Sequence, residues 1–139
     1  REIGAWDLLE PIAPYPLPDG LLERVHSPAY LRRLEAACRF GEYLDADTYT
    51  QPASWKLAHR AAGGAIAVAE SVWSEKSRAG LAITRPPGHH ATRERGMGFC
   101  LLNNAAIAAE YLLTLESPNA IGNIWSAMAE RTLRFAQCL

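Results

Sequence analysis

The chain has 139 residues, 49% hydrophobic and 21% charged, which is the composition of an ordinary globular domain, and its apolar runs are too short to span a bilayer. Its 14 basic and 15 acidic residues leave a net charge of −1, so we expect neither nucleic acid nor a membrane as a partner. The three cysteines, Cys38, Cys100 and Cys138, show no C-x-x-C spacing, which favours reduced thiols in a cytoplasmic protein over a zinc ribbon or a disulfide framework.

The first predicted elements are a connector and a helix. Residues 1–20 are rich in proline and apolar residues, which indicates an extended connector after a short helical start. Ser27 followed by Pro28 predicts the beginning of a helix, with the serine as its N-cap. Apolar residues then recur at helical spacing until Gly41, which is placed to end the helix.

A second, longer helix is predicted after the polar loop of residues 42–53. Ser54 is positioned to cap it, and it should run to about Lys76. Gly63 and Gly64 lie inside it, and each costs about 1 kcal/mol relative to alanine. We therefore expect this face to pack closely on a sheet or on another helix.

The next predicted elements are a strand, a loop and another helix. Residues 81–84 form a short apolar run that should be a central strand, and the prolines of the loop 85–103 end it. Asn103 can cap a helix from Asn104 to about Leu115, with Ile107, Tyr111 and Leu115 on one face. A last helix is expected near residues 124–138. This order predicts an α/β layer fold with a mostly parallel sheet.

One loop carries most of the chemical interest. The sequence Arg-Pro-Pro-Gly-His-His-Ala at residues 85–91 is followed by Gly-Met-Gly-Phe-Cys-Leu-Leu-Asn-Asn at residues 96–104. It comes directly after the predicted strand, where sites gather in open α/β sheets. Two adjacent histidines, His89 and His90, suit proton transfer near neutral pH. From the residues alone, a catalytic role and a structural role both remain open.

This segment resembles the active-site segment of histone deacetylases, and it is most similar to the class II, acetylpolyamine amidohydrolase and acetoin-utilisation branches. Two upstream segments resemble the same family in the same order, namely Val-His-Ser-Pro-Ala-Tyr-Leu at 25–31 and Asp-Ala-Asp-Thr-Tyr at 45–49. The resemblance covers residues 1–115, the N-terminal part of the family's domain, and leaves 116–139 as a divergent tail, expected to be helical. It implies a partial, truncated three-layer arginase/deacetylase-like fold, with a sheet flanked by helices.

The resemblance also implies an activity and the residues that perform it. The family hydrolyses the amide of acetyl-lysine or of an acetylated polyamine-type amine, using a zinc ion. By match, His89 and His90 handle protons, Phe99 lines the acyl channel, and Gly98 offers its backbone to the substrate. Asp47 would hold the substrate backbone at the rim, although Asp45, two residues earlier, leaves this assignment open.

The chain departs from the family where the metal ligands are expected. No aspartate or histidine follows His90, and the only later tyrosine is Tyr111, inside a predicted helix. We therefore expect no protein ligand set for the metal, no zinc bound by this chain, and no hydrolysis by the chain alone. The alternative is a non-catalytic relative that acts as a binding or self-associating module, and a homo-oligomer is compatible with an incomplete sheet. His26 and His59 match no family site and are expected to be structural.

Overall fold

The computed structural model describes residue 4 and residues 9–115, which contain four helices and two isolated β-bridges. The helices are α1 (Leu21–Val25), α2 (Pro28–Phe40), α3 (Ser54–Trp73) and α4 (Asn104–Leu115). Helix α4 packs mainly on α3, whereas α1 bridges α4 and α2. The largest fully buried apolar side chains come from α2, α3, α4 and the segment that enters α4: Leu34, Ile66, Leu102, Ile107 and Leu112.

Local sequence signals predicted both ends of α2. The Ser27 hydroxyl accepts a hydrogen bond from the Tyr30 N–H at 3.2 Å, and Pro28 occupies the first turn. Gly41 ends the helix in the left-handed conformation with φ of 72°, and its N–H donates to the carbonyl of Ala37 at 2.8 Å. The predicted bounds of this helix are confirmed.

Helix α3 differs in two respects from the prediction. Ser54 is its first residue rather than its N-cap, and the helix ends at Trp73, before the predicted Lys76. The N-cap is Ala53, and the Ser54 hydroxyl instead accepts from the Gln51 N–H at 2.9 Å. The Ser54 N–H also donates to the Gln51 carbonyl at 2.8 Å. The two bonds between Ser54 and Gln51 stabilise the turn before the helix.

The glycines of α3 are explained by close backbone approach. The Tyr15 N–H donates to the Gly63 carbonyl at 3.1 Å, and a Cβ on Gly63 would collide with the Tyr15 carbonyl oxygen. A Cβ on Gly64 would lie 3.1 Å from the methyl group of Thr84. The close neighbour at Gly63 is thus the proline-rich connector, which carries no helix or strand between residues 9 and 18, rather than the sheet or helix that we expected.

Helix α4 begins as predicted but presents a rotated face. The Asn103 side chain accepts from the Ala106 N–H at 3.0 Å, which is an N-cap interaction. Ile107 is fully buried and Tyr111 half-buried, whereas Leu115, the last residue of the helix, is 50% exposed. Each step of four residues rotates the side chain by about 40°, so Leu115 has turned away from the buried stripe.

Residues 81–84 do not form the predicted central strand within the described part of the chain. They have no ladder partner among residues 9–115. The segment runs antiparallel along α3, because Thr84 contacts Gly64 while Gly80 contacts Val68. A strand exists only when a neighbour accepts and donates its backbone hydrogen bonds, and residues 9–115 contain no such neighbour. The mostly parallel sheet is therefore not formed by these residues.

Two expectations concern the remainder of the chain and its relation to membranes. The helix expected near residues 124–138 lies outside the described residues. Within residues 9–115, no helix is long and apolar enough to cross a membrane.

Candidate active site

The two adjacent histidines lie on an exposed loop that follows the segment packed along α3. The ring centroids of His89 and His90 are 4.1 Å apart, and the ring planes are inclined by 48°. Both side chains are exposed, whereas the next residue, Ala91, is buried. The His90 N–H donates to the sulfur of the buried Cys100 at 3.4 Å, so the loop is fixed on the core immediately beside the pair.

A tight turn supports the His90 ring. Met97 and Cys100 exchange two backbone hydrogen bonds, of 3.1 and 3.0 Å. The two central residues, Gly98 and Phe99, both have positive φ, of 57° and 63°, as a type I′ turn requires. A Cβ on Gly98 would lie 2.8 Å from Cδ2 of His90, so only a glycine lets this turn approach the imidazole so closely.

Phe99 is placed at the surface of the site and not in the core. Its side chain is 55% exposed although it belongs to the most apolar residue types, and its backbone adopts a conformation that is rare for residues with a side chain. Phe99 is therefore not part of the buried core. Its place in the turn beside His90 agrees with a surface-lining role.

The loop containing Asp45 and Asp47 uses the two carboxylates differently. Asp45 Oδ1 accepts from the N–H groups of Asp47, at 3.2 Å, and Thr48, at 2.7 Å. Hydrogen bonding from Thr48 and from Asp47 lowers the pKa of Asp45. The carboxylate of Asp47 accepts from the Thr48 hydroxyl at 2.9 Å, and its side chain is exposed. Asp45 thus closes the turn, which leaves Asp47 as the carboxylate presented at the surface.

Thr48 connects this loop to the Met97–Cys100 turn. Its side chain is 1% exposed, and its hydroxyl accepts a hydrogen bond from the Phe99 N–H at 3.0 Å. The predicted residues are therefore brought together, with Asp47 and Phe99 joined through Thr48 and Gly98 packed against His90. Sequence reasoning missed Thr48, for which the only signal was a hydroxyl residue beside two aspartates. The catalytic and substrate-binding roles themselves stay predictions.

The His26 ring is hydrogen-bonded to the loop that carries His89 and His90. It is fully buried, its Nδ1 lies 2.8 Å from the Thr92 carbonyl oxygen, and its Nε2 accepts from the Asn103 N–H at 3.0 Å. Because an N–H can only donate, Nε2 carries no proton and Nδ1 donates to Thr92. Burial lowers the pKa of His26, which keeps the ring neutral. This geometry is that of a structural histidine.

Two asparagines tie the loop to the start of α4. Asn103 donates from its side chain to the Ala91 carbonyl at 2.9 Å, and Asn104 donates to the Pro86 carbonyl at 3.2 Å. Gly88 lies against the same helix start, where a Cβ would be 2.6 Å from the Leu102 carbonyl oxygen. Sequence reasoning treated Asn103 only as a helix cap and missed Asn104. The adjacent pair of amides after an apolar run was the available signal.

The described residues do not fit a zinc site of the kind that the family resemblance implies. Among residues 9–115, no three histidine, cysteine, aspartate or glutamate side chains lie close enough to hold a metal ion. Catalytic zinc takes three protein ligands, and no aspartate or histidine follows His90 in the sequence. Among residues 9–115, the site therefore contains two imidazoles and the exposed carboxylate of Asp47 without a metal-ligand set.

Comparisons with known proteins converge on one family. A family model described as histone deacetylase domain matches residues 1–121. A probable deacetylase of Methanothermobacter thermautotrophicus is 47% identical over 92 residues, which are 63% of this chain and 26% of that protein. A probable deacetylase of Archaeoglobus fulgidus is 43% identical over 89 residues, or 64% of this chain and 25% of that one.

A solved structure supports the same conclusion. The crystal structure of the HDA15 HD domain matches with a TM-score of 0.70 and 33% sequence identity, over 76% of this chain and 31% of that one. The fold is accordingly that of the arginase/deacetylase class, although this chain spans only about a quarter to a third of the relatives described above. The family model covers most of the sequence, and the chain belongs to the histone deacetylase family.

Proposed function

We propose that this chain carries the proton-transfer histidines and one wall of the substrate channel of a deacetylase site, and that it does not hydrolyse an acetyl amide by itself. The observation that carries the proposal is the His89–His90 pair, 4.1 Å between ring centroids, held against the Gly98–Phe99 turn. Membership of the histone deacetylase family supports an acetylated lysine or polyamine-type substrate.

Each residue has a role that its position supports. Two neighbouring imidazoles provide a group that takes a proton and a group that gives one, which is the requirement for cleaving an amide by general acid–base catalysis. The exposed ring of Phe99 offers an apolar surface to the aliphatic chain of an acylated amine. The Asp47 carboxylate is suited to accept a hydrogen bond from a substrate backbone N–H at the rim.

The proposed lack of activity follows from the donor set. Zinc, where a protein binds it, polarises an amide carbonyl and activates a water molecule. Residues 9–115 provide no group of three ligands, and the rest of the sequence adds no histidine and no aspartate after His90. Without a metal ion the amide carbonyl is not polarised and the imidazoles act on water of ordinary acidity, so we expect binding without turnover.

Binding and turnover are tested separately on the purified chain. An acetyl-lysine peptide should shift the NMR signals of the His89 and His90 rings and of Phe99, whereas the same peptide with free lysine should not. Metal analysis after dialysis should give no stoichiometric zinc, and a fluorogenic acetyl-lysine substrate should show no turnover above background. Tight one-to-one zinc, with turnover that His89→Ala and His90→Ala abolish, would overturn the inactivity. Identical shifts with both peptides would overturn the binding role.

A non-catalytic, self-associating module is the second candidate function, and one observation favours it. Leu81 and Ile83 are 49% and 56% exposed on a segment that has no ladder partner among residues 9–115. Extended backbone of this kind pairs readily with another chain.

We also propose a cytoplasmic location, which the free thiols of Cys38 and Cys100 support.

A further inference from the structure

A buried hydroxyl connects the two parts of the site that come from distant parts of the sequence. Thr48 Oγ1 accepts from the Phe99 N–H at 3.0 Å and donates to Asp47 Oδ1 at 2.9 Å. We propose that Thr48 is a positioning residue that fixes the Phe99 backbone and the Asp47 carboxylate with one hydroxyl group. The conformational part of this inference stands on geometry alone, and its consequence for substrate rests on the proposed function.

Phe99 adopts a backbone conformation that bulky residues disfavour, so contacts with other residues must hold it there. Its φ of 63° lies in the left-handed region that bulky residues avoid, and its 55% exposure means that burial of the ring does not hold it there. The paired bonds between Met97 and Cys100 close the turn around it. The bond from the Phe99 N–H to Thr48 is the contact that ties this turn to the aspartate loop.

The Asp47 side chain is exposed, so packing does not fix its rotamer and a hydrogen bond is required to do so. A hydroxyl group has one proton, and the contact with the Phe99 N–H occupies an acceptor site on its oxygen. The hydroxyl donates to Asp47 Oδ1 at 2.9 Å, which restrains the rotamer of that carboxylate. Thr48 is itself held because its N–H donates to Asp45 Oδ1 at 2.7 Å and its side chain is 1% exposed, which keeps water from competing.

The consequence is a fixed spacing between a rim carboxylate and an apolar ring. If Asp47 holds the substrate backbone and Phe99 contacts its acylated side chain, both contacts depend on the same hydroxyl. Small errors in such positioning reduce binding and catalysis steeply. Removing the hydroxyl should therefore loosen both contacts together, without touching either residue.

Three variants separate positioning from general stability. Thr48→Val keeps the shape of the side chain and removes the hydroxyl, whereas Thr48→Ser keeps the hydroxyl. The matched control is Thr50→Val, because Thr50 is 2% exposed and its hydroxyl lies 2.8 Å from the carbonyl oxygens of both Ala37 and Glu42, which share its one proton, instead of contacting Phe99. Hydrogen exchange of the Phe99 amide and affinity for an acetyl-lysine peptide are measured for each folded variant.

The expected result is specific to the hydroxyl. In Thr48→Val, exchange of the Phe99 amide should accelerate about fivefold and peptide affinity should fall by about fivefold, as expected when a bond of roughly 1 kcal/mol is lost. Thr48→Ser and Thr50→Val should stay within about twofold of the parent in both measurements. Unchanged exchange at Phe99 in Thr48→Val would overturn the inference, and so would faster exchange with unchanged affinity.

If Thr48→Val does not fold, measurements on the parent chain test whether Thr48 holds the Phe99 N–H. Its Phe99 amide must exchange more slowly than in an unfolded chain, and the Thr48 hydroxyl proton must be visible in NMR spectra. An unprotected Phe99 amide overturns the inference without any variant. Failure of the parent to bind the peptide instead overturns the proposed function and the substrate role of Thr48, while the exchange data still decide the conformational claim.

Discussion

His26 is the residue whose protonation state the structure defines most closely. Its Nδ1 donates to the Thr92 carbonyl and its Nε2 accepts from the Asn103 N–H, so both nitrogens are used in the neutral form. A proton on Nε2 would place two N–H groups against each other. The positive charge of Arg93 adds to the effect of burial in lowering the pKa of His26, while Glu94 and the backbone contacts oppose it.

This arrangement predicts how stability depends on pH. The folded-state pKa of His26 lies below its ordinary value of 6.5. The stability that the neutral ring contributes to the folded chain is therefore fully present above pH 6.5 and is lost as the pH falls through the folded-state pKa. The free energy of unfolding should fall by up to about 1.4 kcal/mol per pH unit in that window. Urea unfolding at several pH values measures this, and His26→Gln should flatten the same window. A parent chain whose stability is level there contradicts the prediction.

Gly98 allows a second test at the scale of one residue. Gly98→Ala should cost about 1–2 kcal/mol because of its positive φ, and it should also displace the His90 ring. Gly20→Ala is the matched control, since Gly20 has φ of 75° and nothing within 4 Å of the added Cβ. Both variants should lose similar stability in denaturant, but only Gly98→Ala should shift the His90 ring signals. Equal His90 spectra in the two variants would show that the turn does not support the imidazole.

At the scale of elements, the neighbour that each glycine of α3 contacts decides the effect of replacing it by alanine. Alanine favours a helix by about 1 kcal/mol over glycine, so propensity alone predicts that both substitutions stabilise the chain. Gly63→Ala should instead destabilise it by a few kcal/mol, because the new methyl group meets the Tyr15 carbonyl, which is backbone. Gly64→Ala meets only the Thr84 methyl at 3.1 Å and should change stability by less than about 1 kcal/mol. Thermal unfolding compares the pair, and equal melting temperatures would contradict this packing.

The elements that sequence reasoning predicted well are those with local signals. Ser27, Pro28, Gly41 and Asn103 mark helix ends through residues that lie within one turn of the end itself. Helix α1 was missed because its five residues carry no periodicity of their own. Residues 81–84 were predicted as a strand from apolar character, but strand pairing is a property of two segments, and no neighbour is present in residues 9–115.

The same distinction separates the site residues that were predicted from those that were missed. His89, His90, Gly98, Phe99 and Asp47 came from contiguous motifs that resemble one family. The bonds from Phe99 to Thr48 and from Asn103 to His26 join residues 51 and 77 positions apart, which no local pattern reveals. Sequence reasoning therefore supplied the chemical groups of the site, whereas the contacts that hold them in place required the structure.

For the whole molecule, the outer side of residues 81–84 is the surface best suited to contact another chain. The inner side of this segment rests on α3, while Leu81 and Ile83 are exposed and the segment has no backbone partner in the described part of the chain. Apolar side chains next to backbone groups that have no partner among residues 9–115 favour pairing with another extended segment. If the second candidate function is correct, this segment is where two copies of the chain meet.

Sedimentation of the purified chain over a wide range of concentrations tests that prediction. The parent should associate as concentration rises, and Leu81→Lys with Ile83→Lys should weaken the association at least about tenfold, because two charges would be desolvated at the contact. Leu57→Lys is the matched control, since Leu57 on α3 is as exposed as Leu81, at 49%. It should associate like the parent. A parent that stays monomeric throughout, or a control that dissociates as readily as the double variant, would remove residues 81–84 as the contact and leave the incomplete deacetylase site as the better account of this chain.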